Sequence, residues 1–594
     1  MSARPVCRLV LIVAAVIVAL TGCVDGFVIT VNEVVADENA PGGFPEPAAG
    51  SLIAPDDDIR VRYNRSMAPE SLVLEGSLAE AGTTVRWESV LDPNDTVVLS
   101  PVTSWPVFDE LSIRLTAASA EGYPARTLEA SFTALNDEYH VAAGATGGTG
   151  APDAPFGTID EALELAARRR DEGYRGIQTI KVAGGTYAES ITIAPGVTIR
   201  GGYEADFAAR VPRTSVLTGE ADSEATVLVG AVTGSVSAGV LDGFEVQQPP
   251  GDPAVAAIII ESGPVSLVDV RVHSVNEVAV GVSGARDVRI EDSHLSGPAT
   301  WEGSEWWSSD YFSSFNLGFR TALFVESGTV TVVNTTIDMP GDAPASSLMS
   351  ATVRAEDDAR LVLERSTVLA PSDDDLGAAA AVAQTSGADV EVVHSLVDGG
   401  SGEEVRALYA DSGNLAVRNS TIRVGEATST SGFAPAAGIE FAYYLDGDLW
   451  GVPSTTGNSL LVQNCIVFGQ GEPDSTGIFH GELAVMQNNL FFAVDSASVY
   501  GDPVLEDFSE RLTAAGMNAE PEIAARDNAD GVDPELVSPV ALSDPAADWS
   551  LTAATPASVA DGGYDLADEG VAAVDRAGAV RPAGSWSIGA YEYE

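Results

Sequence analysis

Val288-Arg-Ile-Glu-Asp292-Ser-His-Leu295, Leu415-Ala-Val-Arg-Asn419-Ser-Thr-Ile422 and Leu460-Leu-Val-Gln-Asn464-Cys-Ile-Val467 spell one pattern three times. It runs apolar-x-apolar-x, a polar or charged central residue, two more residues, then an apolar one. Five further copies begin at Val265, Val330, Leu361, Val390 and Ala484, so the eight central residues are Asp269, Asp292, Asn334, Arg365, His394, Asn419, Asn464 and Asn488. Period-2 alternation puts every second side chain in a core, and Asn or Asp at the centre tolerates the left-handed bend that turns one strand into the next. Three of the seven intervals between successive starts are 23 to 25 residues, and the longer ones hold insertions. A propeller blade needs about 40 residues, so the spacing favours a solenoid. The expected fold is all-β: a right-handed parallel β-helix of roughly ten or eleven coils, ~50 Å long at ~4.8 Å per rung.

Upstream of the repeat, Pro155-Phe-Gly-Thr158-Ile-Asp-Glu161 carries a capping box, with Ile159, Ala162, Leu163 and Ala166 at helical spacing. A short amphipathic helix there would cover the open strand edge of the first coil. Then follow Gly184-Gly-Thr-Tyr187-Ala-Glu-Ser-Ile191 and Gly196-Val-Thr-Ile-Arg-Gly-Gly-Tyr203. The whole passage resembles the uncharacterised domain that opens many bacterial parallel β-helix proteins. Residues 50–135 hold short alternating runs, among them Ile59-Arg-Val-Arg-Tyr63, Thr96-Val-Val-Leu99 and Leu111-Ser-Ile-Arg-Leu115. They read as a small antiparallel sandwich. Ile59 to Ser71 resembles a motif of bacterial Ig-like domains, which implies a spacer role.

The N-terminus reads as an export signal. Arg4 and Arg8 precede an apolar run from Leu9 to Leu20 that is too short to span a bilayer, which needs ~20 residues. Leu20-Thr21-Gly22-Cys23 resembles the lipobox of bacterial lipoproteins. That resemblance implies diacylation of Cys23, membrane attachment through the lipid, and an exported protein at the outer membrane or cell surface. The expected organisation is therefore a signal over 1–22 and a tether over 23–49, part of which can form a first strand. The sandwich over 50–135 follows, then the cap and first coils over 136–210, the β-helix over 211–500 and a lower cap over 501–594. The last segment ends in Ser587-Ile-Gly-Ala-Tyr-Glu592 and resembles a C-terminal segment common in such proteins, with Ser587 where that family writes Asp. With Cys7 in the signal and Cys23 lipidated, Cys465 has no disulfide partner.

Charge excludes some partners. The chain has 87 Asp and Glu against 30 Lys and Arg, a formal net charge of −57, and one lysine, Lys181. Nucleic acid is excluded, and polyanionic sugars are disfavoured on the same Coulombic ground. Such a surface suits solubility in salt.

Two long repeat intervals carry aromatic insertions. One holds Trp301, Trp306, Trp307 and Tyr311; the other holds Tyr443, Tyr444 and Trp450 beside Asp446 and Asp448. Aromatic rings next to carboxylates suit sugar rings, so these seven residues are candidate glycan contacts, with polysaccharide or envelope components as partners. The competing reading buries them over the coils. No catalytic residues are assigned. The residue sets of polygalacturonases and polysaccharide lyases, which share the fold, are absent in order and spacing. Arg365 and His394, at the bend of adjacent coils, are the nearest approach to a lyase pair. The remaining histidines show no metal spacing. No cofactor is expected. Ca²⁺ is the one ion the acidic runs Glu356-Asp357-Asp358 and Asp373-Asp374-Asp375 could serve, and neither run has an EF-hand spacing. The leading expectation is a non-catalytic surface lipoprotein that presents a β-helix to glycans or surface molecules. A carbohydrate-active lyase or hydrolase and a purely structural envelope spacer are the alternatives.

Overall fold

The computed structural model describes residues 43–592 except 47, 107–109, 125–126, 136, 173, 175, 222, 231–237, 250–255, 276–277, 299–320, 341–348, 373–377, 429–435, 442–458, 472–474, 481–483, 503–506, 520–523, 545–546 and 585. The chain divides into two compact units. In the first, Gly43–Glu46, Ile59–Tyr63, Thr96–Pro101 and Thr83–Glu88 form one four-stranded sheet. Leu52–Ile53, Leu128–Ala134, Glu110–Ser119 and Met67–Glu75 form a second. Ile59, Val61, Tyr63, Val97 and Leu99 from one sheet meet Ile53, Met67, Leu111, Ile113, Leu115 and Phe132 from the other in a single core. The pairing is antiparallel except where Leu52–Ile53 runs parallel to Leu128–Ala134. Strand Gly43–Glu46 falls within the stretch expected as a tether.

The second unit is a parallel β-helix. Three long sheets, of 13, 12 and 12 strands, share out the strands of successive coils in strict rotation. The first sheet runs from Glu138–Val141 to Ala524–Arg526, the second from Gly185–Tyr187 to Ala529–Asp530, and the third from Ile191–Thr192 to Asp507–Leu512. All neighbours in these sheets pair parallel except the final pair of the third, Ser496–Asp502 with Asp507–Leu512. Helix Ile159–Asp171 covers the first coils and buries Ile159, Ala162, Leu163 and Ala166. The Glu161 amide donates to Thr158 Oγ1 (3.2 Å) and the Thr158 amide to Glu161 Oε2 (3.3 Å), closing the capping box. Buried Glu189 accepts the next two helix amides, Ile159 and Asp160, at 3.0 Å each. No helix among the described residues is long and apolar enough to cross a membrane.

The repeat starts stack in register. Val265 pairs with Val288, then Val330, Leu361, Val390, Leu415, Leu460 and Ala484. Val265, Leu267, Val417 and Val462 lie in the core with essentially no exposure. All eight central residues have φ between 46° and 56°, the left-handed region. Each one's amide donates to a carbonyl of the next coil, as from Asn419 to Gln463 (3.0 Å) and Asn464 to Gln487 (3.1 Å), so the ladder passes through the bend. The same bend recurs at Gly243 (φ 77°) and at Asp527 (φ 57°).

From Asp292 onward, the residue after each bend forms a buried polar column: Ser293, Thr335, Ser366, Ser395, Ser420, Cys465, Asn489 and Asn528. The amides of Val270, Ser293, Thr335, Ser366 and Ser395 each donate to the hydroxyl one coil on, at 3.1–3.3 Å. Those of Cys465 and Asn489 donate to Asn489 Oδ1 and Asn528 Oδ1 at 3.0 Å. Strand geometry leaves these amides unpaired at the corner, and an unpaired buried amide costs about 1–3 kcal/mol.

The C-terminal segment corrects the expectation of a lower cap over 501–594. Part of it extends the solenoid through Ala524–Arg526 and Ala529–Asp530. The remainder runs back along the second sheet. Leu542 donates to Asp398 Oδ2 (2.6 Å), Tyr564 exchanges two bonds with the Asn464 amide group (2.8 and 2.9 Å), and Arg576 reaches Asn334 Oδ1 (3.1 Å) and Thr367 Oγ1 (3.0 Å). The chain then returns to place Ala590 on Thr421. Its apolar residues Leu536, Trp549, Val559, Ile588 and Ala590 cover Leu396, Ile466, Phe468 and Leu490, which point outward from the sheet. At the corner where Ser587 stands, the Glu592 carboxylate accepts the Ser587 amide (3.1 Å) and the Arg581 guanidinium (2.9 Å).

Asn464 joins the bend to this returning C-terminal segment, the strap. Its Nδ2 donates to Asn419 Oδ1 (2.9 Å) and its Oδ1 accepts from Asn488 Nδ2 (3.0 Å), besides the two bonds to Tyr564. Asn464→Ala is expected to lower stability by about 2–4 kcal/mol from lost buried hydrogen bonds and left-handed strain. Asn464→Gly should fare better than Ala by roughly 1 kcal/mol, because only the strain is relieved. Denaturant midpoints of the three proteins check both the loss and its order.

Candidate functional site

A β-helix offers three outward faces, and here they differ. The first-to-second-sheet corner is the tight bend just described. Insertions enter instead on either side of the third sheet: residues 299–320 precede strand Thr321–Val325, and residues 442–458 follow strand Ala436–Phe441. The seven candidate glycan contacts, Trp301, Trp306, Trp307, Tyr311, Tyr443, Tyr444 and Trp450, lie outside the described residues, as do Cys23 and Asp373 to Asp375.

The third sheet carries an outward row in register across successive coils: Leu228, Ile259, Gly281, Phe324, Arg354, Ala383, Tyr409, Glu440 and Phe479. Its first part is apolar, with Ile259 and Phe324 clustered with Ala225, Ala256 and Val278. Its second part is charged. Arg354 pairs with Glu356 through its Nε, and Arg406, three residues before Tyr409 on the same strand, pairs with Glu440 through Nε and with Glu404 at 3.5 Å. The Arg406 and Glu440 side chains are only 14% and 9% exposed. Tyr409 lies between, in register with Ala383 and Glu440 and packed against a floor of Ala351, Ala380 and Ala383. Ala383 and Glu440 are buried, and the groups left partly exposed, Arg354, Arg406 and Tyr409, are of the kinds that stack against an apolar sugar face and hydrogen-bond its rim. In the first acidic run, Glu356 is committed to Arg354. No group of three His, Cys, Asp or Glu among the described residues is arranged to hold a metal ion.

On the second sheet the strap divides the face. From Leu396 to Leu490 the outward residues are buried beneath it, while Glu245, Gln247, Arg271, His273, His294, Thr336 and Asp338 stay partly exposed. The histidines show no metal spacing in the sequence, but His273 and His294 stand on adjacent coils with ring centroids 6.3 Å apart. The 21-residue separation, just under one coil, was the signal. His294 Nε2 contacts Asp338 Oδ2 at 2.8 Å. Burial pushes the His273 imidazole below its ordinary range, against the opposing pull of Glu245.

The other histidines are structural. His480 Nε2 meets Ser498 Oγ (2.9 Å) in the core. His394 is fully buried under the strap and does not form a lyase pair with Arg365: its Nε2 donates to Ala572 O (2.9 Å) and its ring lies 6.3 Å from Trp586. Arg365 turns to Glu364 at 3.4 Å. Burial, reinforced by the Arg581 charge, lowers the His394 pKa to about 3.

No family model matches the sequence, and no curated protein matches it. Among solved structures the chain is similar to the catalytic domain of a family 87 α-1,3-glucanase bound to tetrasaccharides (10% identity, 80% of this chain and 90% of that one, TM-score 0.33). It is also similar to a family 28 exopolygalacturonase from Yersinia enterocolitica (8% identity, 83% and 99%, TM-score 0.25) and a pectin methylesterase from Aspergillus niger (12% identity, 70% and 97%, TM-score 0.21). At these values the likenesses carry no argument about activity, and the fold rests on the sheet topology itself.

His394 makes strap docking acid-sensitive. Its folded pKa lies below the unfolded value, so the unfolded chain takes up the proton first. The contribution is constant above about pH 6.5 and is lost as pH falls toward 3, by at most about 1.4 kcal/mol per pH unit. His394→Asn keeps a residue suited to the left-handed bend and removes the titration. Melting temperatures at pH 7 and 4.5 should fall further for the natural protein than for this variant, and equal falls would remove His394 from the account.

Proposed function

We propose that the protein is an exported, lipid-anchored surface protein that binds glycans along the third face of its β-helix without transforming them. The observation that carries the reading is the row Arg354, Ala383, Tyr409, Glu440 with Arg406 beside it, on the outside of the solenoid where both aromatic insertions join the sheet. Desolvated ion pairs add little net stability, and the inward face supplies the core, so the fold has no need of such pairs on an outward face. Sugar binding does need them: hydroxyl rims take paired guanidinium and carboxylate groups, and the ring faces take Tyr409 and the insertion aromatics. The sandwich then serves as a spacer and Cys23 as the anchor.

Two measurements test this. Cys23→Ser is expected to move the protein from the membrane to the soluble fraction, and retention in membranes would refute the anchor. On a glycan array, neutral oligosaccharides are the expected ligands. Tyr409→Ala and the pair Trp306→Ala, Trp307→Ala should each weaken binding at least tenfold with little change in melting temperature. A loss of about 3–5 kcal/mol in stability per tryptophan, with binding intact, would place those rings in the core instead. Release of reducing ends or unsaturated products from a polysaccharide panel would replace the binding reading with an enzymatic one.

A further inference from the structure

The partly exposed stretch of the second face holds a cation with no ion pair among the described residues. Arg271 lies in register with Glu245 on one side and His294 on the other, and His273, two positions along the same strand, is flanked by Gln247 and Ser296. Three other arginines on the outward surface have carboxylate partners: Arg289 with Glu291 at 3.0 Å, Arg200 with Asp242 at 3.6 Å, Arg213 with Asp269 at 2.6 Å. Arg271 makes no ion pair and no hydrogen bond among the described residues, and its Nε is buried without a partner. The neighbouring carboxylates are engaged elsewhere: Glu245 accepts from Gln247 Nε2 (2.8 Å) and Asp338 holds His294 (2.8 Å). A guanidinium with no ion pair among the described residues, beside two imidazoles, can take an oxyanion as a bidentate partner.

The net charge of −57 restricts that anion. At long range the protein repels polyanions, and at ~8 Å screening in physiological salt the Arg271 guanidinium governs only what already touches it. The ligand must therefore bring one negative group on an otherwise neutral body. The outward side chains on this part of the face are polar and partly exposed, suited to the hydroxyls of a saccharide. We infer that Arg271, with His273 and His294, forms a subsite for a sparsely charged saccharide, its oxyanion a uronate carboxylate or a sulfate ester bound at the Arg271 guanidinium. This site is separate from the third face and does not depend on the reading given to it.

Equilibrium dialysis of the full chain against glucuronic acid, glucose 6-sulfate, glucose and inorganic sulfate tests the subsite. Glucuronic acid or glucose 6-sulfate should bind at least tenfold more tightly than glucose, and which of the two prevails identifies the oxyanion. Arg271→Ala should remove that preference with an unchanged melting temperature, and Arg271→Lys should keep part of it, since a point charge replaces a bidentate fork. Tyr409→Ala should leave it intact, while Arg271→Ala should leave neutral-glycan binding intact, so failure at one face is separable from failure at the other. Equal binding of glucose and the acidic sugars, or an Arg271→Ala protein that still discriminates, overturns the subsite. Inorganic sulfate bound as tightly as the acidic sugars overturns its assignment to a saccharide.

Discussion

The structure depends on one backbone conformation repeated coil after coil: a single left-handed residue between the first and second sheets. It turns the chain sharply enough for parallel strands to stack without an intervening helix, and its own amide stays in the inter-coil ladder. Parallel strands ordinarily require crossovers of a dozen residues or more. A one-residue corner makes each turn rigid on this edge, so apolar positions fall above one another and a one-residue slip would expose the whole inward set. Insertions cannot enter at this corner without breaking the column. They enter beside the third sheet, which is why that sheet is flanked by variable chain.

That corner also explains how much could be read from the sequence. Asn, Asp, Arg and His at the centre of an alternating run announced eight bends, and the pairing places all eight start residues in one column. The coils before Val265 escaped the pattern because glycine serves the bend at Gly243, and the pattern asked for a polar residue. The hydroxyl column was legible but unread: Asp292-Ser293, Asn334-Thr335, Arg365-Ser366, His394-Ser395 and Asn419-Ser420 put a small donor–acceptor directly after the bend each time. The strap had a signal too. Arg271-Val-His273 and Thr336-Ile-Asp338 keep polar residues facing out, whereas Ile466-Val-Phe468 and Leu490-Phe-Phe492 are apolar on both faces, as strands covered twice must be. What covers them lies more than 40 residues away in chain order, and no local periodicity conveys that.

The candidate sites were harder to read because they are made by stacking. Arg406 and Glu440 are 34 residues apart, and Arg271 and His294 are 23; each pair becomes adjacent only when unequal intervals are resolved into coils. The aromatic insertions stood out by composition, and composition alone does not tell a ligand surface from a buried lid. The electrostatic reading of the sequence was a global one. A net charge excludes classes of partner at a distance, but it is silent about one arginine whose neighbouring carboxylates are already committed.

The bend column itself shows how a repeat is adapted. Side-chain links run from Asn334 to Asp292 and from Asn488 through Asn464 to Asn419, but Arg365 and His394 interrupt them. In a solenoid without a strap, that interruption would leave one bare amide oxygen and one buried imidazole. Here the strap meets both: Arg576 donates to the free oxygen of Asn334, and the Ala572 carbonyl accepts from His394. The strap therefore docks where the ladder is broken, and the two residues that most resemble a catalytic pair in the sequence mark where the chain receives its own C-terminus. Neutral His394 suits that role, since a charged imidazole beneath Trp586 and beside Arg581 would oppose closure. A departure from the repeat that is buried and partnered by distant chain, as at His394, thus belongs to the fold.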